Sequence, residues 1–440
     1  MRERWGTDRV ARLAPDPQSM RAALALARPE RWVDSGAHER LLWGLCRGQG
    51  NQPHRTVVDL DGPAYSCSCA SRTGDGSRPG GYEQPPCKHA LALLLQWATH
   101  LVPDELAAPA FATEWATTRA SAPASGERDE AAAKRALQRH RRVADGLAEL
   151  DRWLRDRVRT GLAHAADEGS APVERVTARM IDAQAPGVAA MVRRTAATPA
   201  SGSGWPARLL GEYARMRLLV RAYEQAAALP PELAATVRSR VGFTVARDTV
   251  LAAPGVRDRW AVLAVRDSFE GNLDSRRVWL RGAATGRWAL VLLFAAGGAE
   301  LSAHTDSGLL PGTALDAELH YYPGRPALRA VIGARHSELG AAPPPAPQPV
   351  DALLDGFAEA LAEDPWLGEW PAVVTGVPEE HGPEWRLRCV TGALPLQPAG
   401  IDVWPLVATS GGAPVAVAGE WTGAALRPLT CWHRDRAVRL

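Results

Sequence analysis

Three cysteines and a histidine form the densest group of chemically competent side chains in this 440-residue sequence. Cys67-Ser68-Cys69 is followed, after the 17 residues 70–86, by Cys87-Lys88-His89. Two pairs of soft or borderline ligands, each split by one residue, suit a tetrahedral Zn²⁺ site. In extended backbone, side chains two apart lie on one face, so Cys67 and Cys69 fit a strand end. The first turn of a helix carries unsatisfied N–H groups and partial positive charge, which favours a thiolate at Cys87. Three thiolates and a neutral imidazole around a divalent cation leave about one net negative charge, and Lys88, Arg72 and Arg78 lie close enough in sequence to offset it. Protein atoms fill all four positions, so the expected metal is structural rather than catalytic.

The surrounding residues supply the elements that such a site needs. Leu41, Trp43 and Leu45 alternate with Leu42, Gly44 and Cys46 at a strand period, and residues 48–50 form a turn. Residues 57–60 continue as a second strand, 61–63 turn, and 64–69 make a third. From 87 to 99 the pattern becomes helical, with Leu91, Leu94, Leu95 and Ala98 on one apolar face. A short helix over 17–27 precedes this β meander. Cys46 could approach the site from the neighbouring strand but reads as a small buried core residue, and Cys389 and Cys431 lack partners at ligand spacing and read as structural.

Beyond residue 115 the pattern predicts an α-helical domain over 127–250, a β-rich domain over 251–340 and an α+β domain over 350–440. Val143, Leu147, Leu150, Leu154 and Val158 make an amphipathic stripe. Residues 174–184 repeat it, ended or kinked by Pro186, and Trp205, Leu209, Tyr213, Met216, Leu219 and Tyr223 form a third. Residues 260–265, 278–280 and 288–294 read as buried strands, 351–362 as a helix, and 385–390, 401–407 and 414–417 as short strands. Residues 116–126 and the proline-rich 341–349 read as linkers. The fold class expected is therefore multidomain α+β.

Composition excludes several classes. Hydrophobic residues at 46% and charged residues at 23% are those of a globular chain rather than a disordered one. Six cysteines are too few for a disulfide-stapled secreted scaffold of this length. The charged start lacks a secretory core, and no apolar run approaches the about 18 residues of a membrane span; a cytoplasmic protein is expected. Arginine supplies nearly all positive charge, since the lysines are Lys88 and Lys134, a bias typical of GC-rich bacterial coding. Residues 119–250 carry a surplus of seven positive charges and 251–440 a surplus of five negative ones.

Arg139, Arg141, Arg142, Arg152 and Arg155, with Arg157 and Arg159, form the most basic strip and are candidate nucleic-acid contacts. Interspersed Glu149, Asp151 and Asp156, with four-apart pairs such as Asp151–Arg155, better support a solvated helix. The 16 tryptophans are scattered from Trp5 to Trp432 and read mostly as core anchors. Phosphate-loop, Gly-x-Ser-x-Gly and His-Glu-x-x-His motifs are absent, and Glu359, Glu363 and Asp364 read as a solvated acidic face. No enzymatic activity is expected.

The cysteine–histidine pattern, with "PCKHALALLL" running into the helix, resembles the SWIM zinc finger. The stretch "LLWGLCRGQGNQPHRTVVDLDGPAYSCSCASR" is similar to bacterial SWIM-domain proteins in particular, and "ARMIDAQAPGVAA" and "GEWTGAALRPL" resemble further segments of that family. The finger covers about residues 41–99 within an N-terminal domain of 1–115. The resemblance implies structural zinc held by Cys67, Cys69, Cys87 and His89 in a ββα fold, and a role in binding DNA or protein. Here the spacer 70–86 is longer than in the members it most resembles, and 73–86 reads as a flexible bulge.

These readings lead to a zinc-binding, non-enzymatic adaptor for protein–protein interaction. The family's frequent setting beside MoxR-type AAA+ ATPases and von Willebrand factor A-domain proteins suggests partners of that kind. The alternative is a DNA-binding protein that uses the zinc module and the basic helix.

Overall fold

A computed structural model describes residues 4–14, 17–48, 52–61, 64–69, 86–120, 125–270, 273–296, 308–337, 340–382, 384–397 and 402–440. The chain divides into two compact units, Met1–Gln138 and Arg139–Leu440, with the division inside a 36-residue helix.

The first unit begins with helices α1 (Thr7–Arg12) and α2 (Pro17–Leu26). Strands β1 (Trp32–His38), β2 (Leu41–Cys46), β3 (His54–Asp59) and β4 (Ala64–Cys67) follow as an antiparallel sheet in sequence order. Helix α3 (Lys88–Ala98) and helix α4 (Ala110–Ala120) complete it. Alternate residues of β2 and β3 serve two cores. Leu42, Cys46 and Val58 pack with Leu91, Leu94 and the rest of α3, while Leu41, Trp43 and Val57 pack with Ala112 and Ala116 of α4. Both faces are covered, which is why β2 reads as an almost unbroken apolar run.

β1 was not expected from the sequence. Its residues, Trp-Val-Asp-Ser-Gly-Ala-His, alternate poorly, and antiparallel pairing with β2 from His38↔Leu41 to Trp32↔Cys46 makes it a strand. The expected linker 116–126 is also partly helical: 116–120 belong to α4, where Ala116 is buried against the sheet. The expected turn residues 49–50 and 62–63, the linker residues 121–124 and the spacer residues 70–85, with Arg72 and Arg78, lie outside the described residues.

The second unit starts within α5 (Ser125–Thr160) and continues through α6 (Ala171–Asp182), α7 (Pro186–Arg194), α8 (Trp205–Glu224) and α9 (Pro231–Val241). Val143, Leu147, Leu150 and Leu154 of the α5 stripe are buried against α6–α9, but Val158, the last member, is exposed. Pro186 does not kink a helix; it begins α7, where its missing N–H costs nothing.

After the short helix α10 (Arg247–Leu251), strands β5 (Val256–Glu270), β6 (Leu273–Gly282), β7 (Trp288–Ala296), β8 (Thr313–Tyr321) and β9 (Arg329–Arg335) pair in the order β8-β5-β6-β7-β9. β9 also pairs with β8, which closes the sheet into a five-stranded barrel around Trp260, Val278, Leu280, Leu315 and Leu319. The two-residue strand β10 (Gly340–Ala341) adds to β8, so the start of the proline-rich connector is paired.

Helix α11 (Val350–Glu363) leads into β11 (Trp370–His381), β12 (Glu384–Cys389) and β13 (Gly392–Pro395). Helix α12 (Trp404–Ser410), β14 (Val415–Trp421), β15 (Leu426–His433) and β16 (Arg436–Arg439) complete the chain. These six strands form an antiparallel sheet in the order β13-β12-β11-β14-β15-β16. One face carries α11 and α12 through Leu353, Phe357 and Leu406; the other packs Val373, Ala418 and Trp432 on the outside of the barrel.

The strand expected at 401–407 is a correction. Asp402 accepts the Trp404 N–H at 3.1 Å, Pro405 occupies the first helical turn, and Gly411 ends α12 in the left-handed region. Val403 is the N-cap without a side-chain cap, so the Asp402 turn, Pro405 and the glycine stop, rather than an N-cap, outweigh the β-branched content of the segment. Asp364 corrects another expectation, because it is buried at the end of α11 and ion-paired with Arg240 instead of solvated. Among the described residues no helix is long and apolar enough to cross a membrane.

Candidate metal centre

The register of the first sheet delivers Cys67 to the last position of β4, opposite Thr56 of β3. One residue further, Ser68 donates its N–H to the Arg55 carbonyl at 3.0 Å and its hydroxyl oxygen accepts the Arg55 N–H at 3.0 Å. This double contact holds the Cys-Ser-Cys segment against β3 and keeps Cys69 on the same side as Cys67. Cys87 is the N-cap of α3, with extended backbone, and its carbonyl accepts the Leu91 N–H at 3.0 Å. His89 lies in the first turn of α3, whose apolar face is buried against the sheet.

Packing α3 on the sheet therefore brings the strand pair and the helix pair together. One ligand atom from each of Cys67, Cys69, Cys87 and His89 lies within 4.8 Å of the other three. Cys67 Sγ and His89 Nδ1 are 3.7 Å apart. Zinc–sulfur and zinc–nitrogen bonds at tetrahedral angles require about 3.6 Å between such atoms. Cys67, Cys69 and His89 are buried and Cys87 is half-buried, so the donor set fits a closed structural ion. No other such group occurs among the described residues.

Electrostatics couple the protonation of Cys67, Cys69 and His89. Hydrogen bonds to Cys69 and Cys87, reinforced by burial, push the Cys67 thiol up. Hydrogen bonds from Cys67 and Cys87 hold Cys69 down as the thiolate of the group. Burial opposes charge on His89, but hydrogen bonds to Cys69 and Cys87 outweigh it and raise the imidazole to about 9. A divalent cation held by Cys67, Cys69, Cys87 and His89 would replace these shared protons and stabilise all three thiolates together.

Two neighbours were not anticipated. Thr56 Oγ1 lies 3.3 Å from Cys67 Sγ in a buried contact, and the His54 ring centroid is 4.7 Å from that of His89. Both sit on β3, and only the strand register reveals them. Cys46, opposite His54 on β2, is a buried core thiol outside the ligand group. Cys431 is buried and Cys389 half-buried, both as free thiols.

The basic strip is not gathered into one free cationic surface. Arg139 donates to the Gly242 carbonyl at 3.1 Å and its guanidinium lies 4.3 Å from the Phe243 ring centroid. Arg155 pairs with Asp151 at 3.0 Å, Arg157 with Glu168 at 2.5 Å and Arg159 with Asp156 at 3.7 Å. Arg141, Arg142 and Arg152 are exposed, the last two beside Asp145, Glu149 and Asp182 in a shallow hollow.

Residues 138–241 match the family described as a SWIM-associated four-helix bundle domain, which spans the helical core from α5 to α9. The Cys67, Cys69, Cys87 and His89 cluster, outside that match, is compatible with a SWIM zinc-binding motif. No curated protein and no solved structure matches the chain.

Proposed function

With a SWIM-associated helical domain following a buried cluster of three cysteines and one histidine, we propose that this chain is a zinc-dependent adaptor of the cytoplasm with no enzymatic activity of its own. Cys67, Cys69, Cys87 and His89 hold one structural zinc, and the module built on it docks a protein partner. A MoxR-type AAA+ ATPase or a von Willebrand factor A-domain protein is the partner class that the sequence resemblance suggests.

The observation that carries this reading is the closed donor set. Four protein ligand atoms within 4.8 Å of one another are the number a tetrahedral ion takes, which would leave no position for a reacting water. The internal use of Arg139, Arg155 and Arg157 favours a protein partner over a nucleic acid. DNA binding through the zinc module and the exposed Arg141 and Arg142 is the competing reading.

Co-purification of the tagged full-length chain from its native cell, with zinc measured on the same sample, tests the proposal. About one zinc per chain and an ATPase or A-domain partner lost in Cys69→Ser are expected. Retention of the partner by zinc-free Cys69→Ser removes the module from the argument. Binding to duplex DNA that falls steeply with salt and disappears in an Arg141→Glu, Arg142→Glu variant would establish the competing reading instead.

A further inference from the structure

Outside the metal centre, the barrel of the second unit presents a built cavity that the adaptor role does not use. β5 to β9 pair as β8-β5-β6-β7-β9 and back to β8, with β7 and β9 parallel and the other pairs antiparallel. That is the connectivity of the five-stranded OB-type Greek-key barrel, which binds oligonucleotides or oligosaccharides on its second and third strands and the loops beside them. Counted from β5, these are β6, β7 and, between the fourth and fifth strands, the loop 322–328. Here they line a single cavity of about 490 Å³ whose remaining wall is α9 with residues 243–245 and the turn after α11.

The size of the cavity and its surroundings limit what it holds. Trp279 and Leu290, on the outside of the barrel, are covered by Val373, Ala418 and Trp432 of the C-terminal sheet. A strand cannot run along that face, and the remaining volume is that of a small-molecule site. The loop is also fixed in place. Thr236 Oγ1 on α9 accepts the Arg325 N–H at 2.8 Å and donates to the Arg325 carbonyl at 3.0 Å.

The lining is cationic and aromatic. Five arginines face two carboxylates, Asp364 and Glu369. Arg240 is committed to Asp364 at 2.9 Å and Arg277 to Glu369 at 3.1 Å. Arg238 and Arg329 have no carboxylate partner among the described residues. Each lies over a ring instead, Arg238 at 4.3 Å from the Phe243 centroid and Arg329 at 4.2 Å from that of Tyr322. A stacked guanidinium is held in orientation while its N–H edge stays open to a planar oxyanion. Its outer face accepts a stacked base.

We infer that this cavity, between the β6–β7 face, the loop 322–328 and α9, binds a nucleoside phosphate whose phosphate is taken by Arg238 and Arg329. The ligand is either a free nucleotide or the terminal nucleotide of a single strand. A neutral sugar leaves both cations unanswered.

The test is competition against a fluorescent adenosine 5′-monophosphate on the full-length chain. The competitors are the four nucleoside monophosphates, ribose 5-phosphate, maltotriose and 5′-phosphorylated oligo-dT. Saturable binding that weakens about tenfold or more in Arg238→Ala and in Arg329→Ala is expected. Both side chains are exposed, so unchanged thermal unfolding accompanies the loss. Arg238→Lys, which keeps the charge and removes the planar stack, falls between. An oligonucleotide competing better than the monophosphates supports the strand end, and one competing no better supports the free nucleotide. Absence of saturable binding, indifference to both alanine variants, or equal competition by ribose 5-phosphate or maltotriose overturns the inference.

Discussion

Thr56 Oγ1 lies 3.3 Å from Cys67 Sγ, buried at the junction of β3 and β4. The two residues are direct cross-strand partners, so the hydroxyl is aimed at the sulfur by register rather than by a flexible side chain. A hydroxyl donating to a thiolate orients it and spreads its charge, as outer partners of metal ligands do.

Thr56→Val keeps the shape and removes the donor. Zinc affinity measured by chelator competition is expected to fall about tenfold, with the fold of the metal-loaded module intact. Unchanged affinity would show that the contact does not tune the metal.

Metal removal should act on one unit selectively. The first unit closes around its ligand cluster, whereas α5–α9 have a separate core running from Val143 to Val241. Calorimetry with and without a chelator is expected to show one transition moving down by tens of degrees and another staying in place. A rigid shift of both transitions would contradict this.

Zinc loading should expel protons. At pH 7 the metal-free centre holds a proton on His89, whose pKa is about 9, and on the elevated Cys67 thiol. Coordination requires these sites deprotonated, so protons, at least two per ion, should appear in a weakly buffered indicator assay on zinc addition. Affinity should then decline as the pH is lowered. A pH-independent affinity between 6 and 8 would be inconsistent with this ligand set.

Glu420 is fully buried between the barrel and the C-terminal sheet, where it accepts from Trp279 Nε1 at 2.9 Å and pairs with Arg266, Arg277 and Arg427. Burial opposes its charge, but Arg277 and Arg266 outweigh that and hold the carboxyl below its ordinary value of 4.5. A depressed carboxylate stabilises the fold above its unfolded pKa and loses that contribution as pH falls through the folded one. Glu420→Gln is therefore expected to cost about 3 kcal/mol at pH 7 and to flatten the acid limb of a denaturation series below about pH 4.5. An unaltered acid limb would place the acid sensitivity elsewhere.

Gly187→Ala inverts a general trend. Alanine in a helix usually improves on glycine by about 1 kcal/mol. Here a Cβ would clash with the Arg240 carbonyl oxygen, because α7 packs its first turn directly on the end of α9. Destabilisation of about 1–3 kcal/mol in urea unfolding is expected. A stabilised variant would mean that the two helices are not in that contact.

The cluster of three cysteines and a histidine and the elements bearing it were legible in the sequence because they depend on local spacing. Cys67 and Cys69 share a face at a strand end, Cys87 and His89 share a helical turn, and the stripes from Val143 to Leu154 and from Leu209 to Tyr223 repeat at the helical period. Local spacing was also sufficient for β2, β3, α3, α8 and α11.

Everything that needs a partner far along the chain was decided by tertiary structure. β1 exists through pairing with β2, and α12 through Asp402 and Gly411 rather than its apolar run. Thr56 meets Cys67 only in the register of β3 with β4. Asp364 is buried because Arg240, 124 residues away, reaches it, and Glu420 because three arginines converge on it. The barrel closes through a β8–β9 pairing and a parallel β7–β9 pairing, and neither leaves a mark in the period of its strands. Periodicity records which face of an element is buried; which element covers that face is settled only when distant segments meet and their polar groups must all find partners.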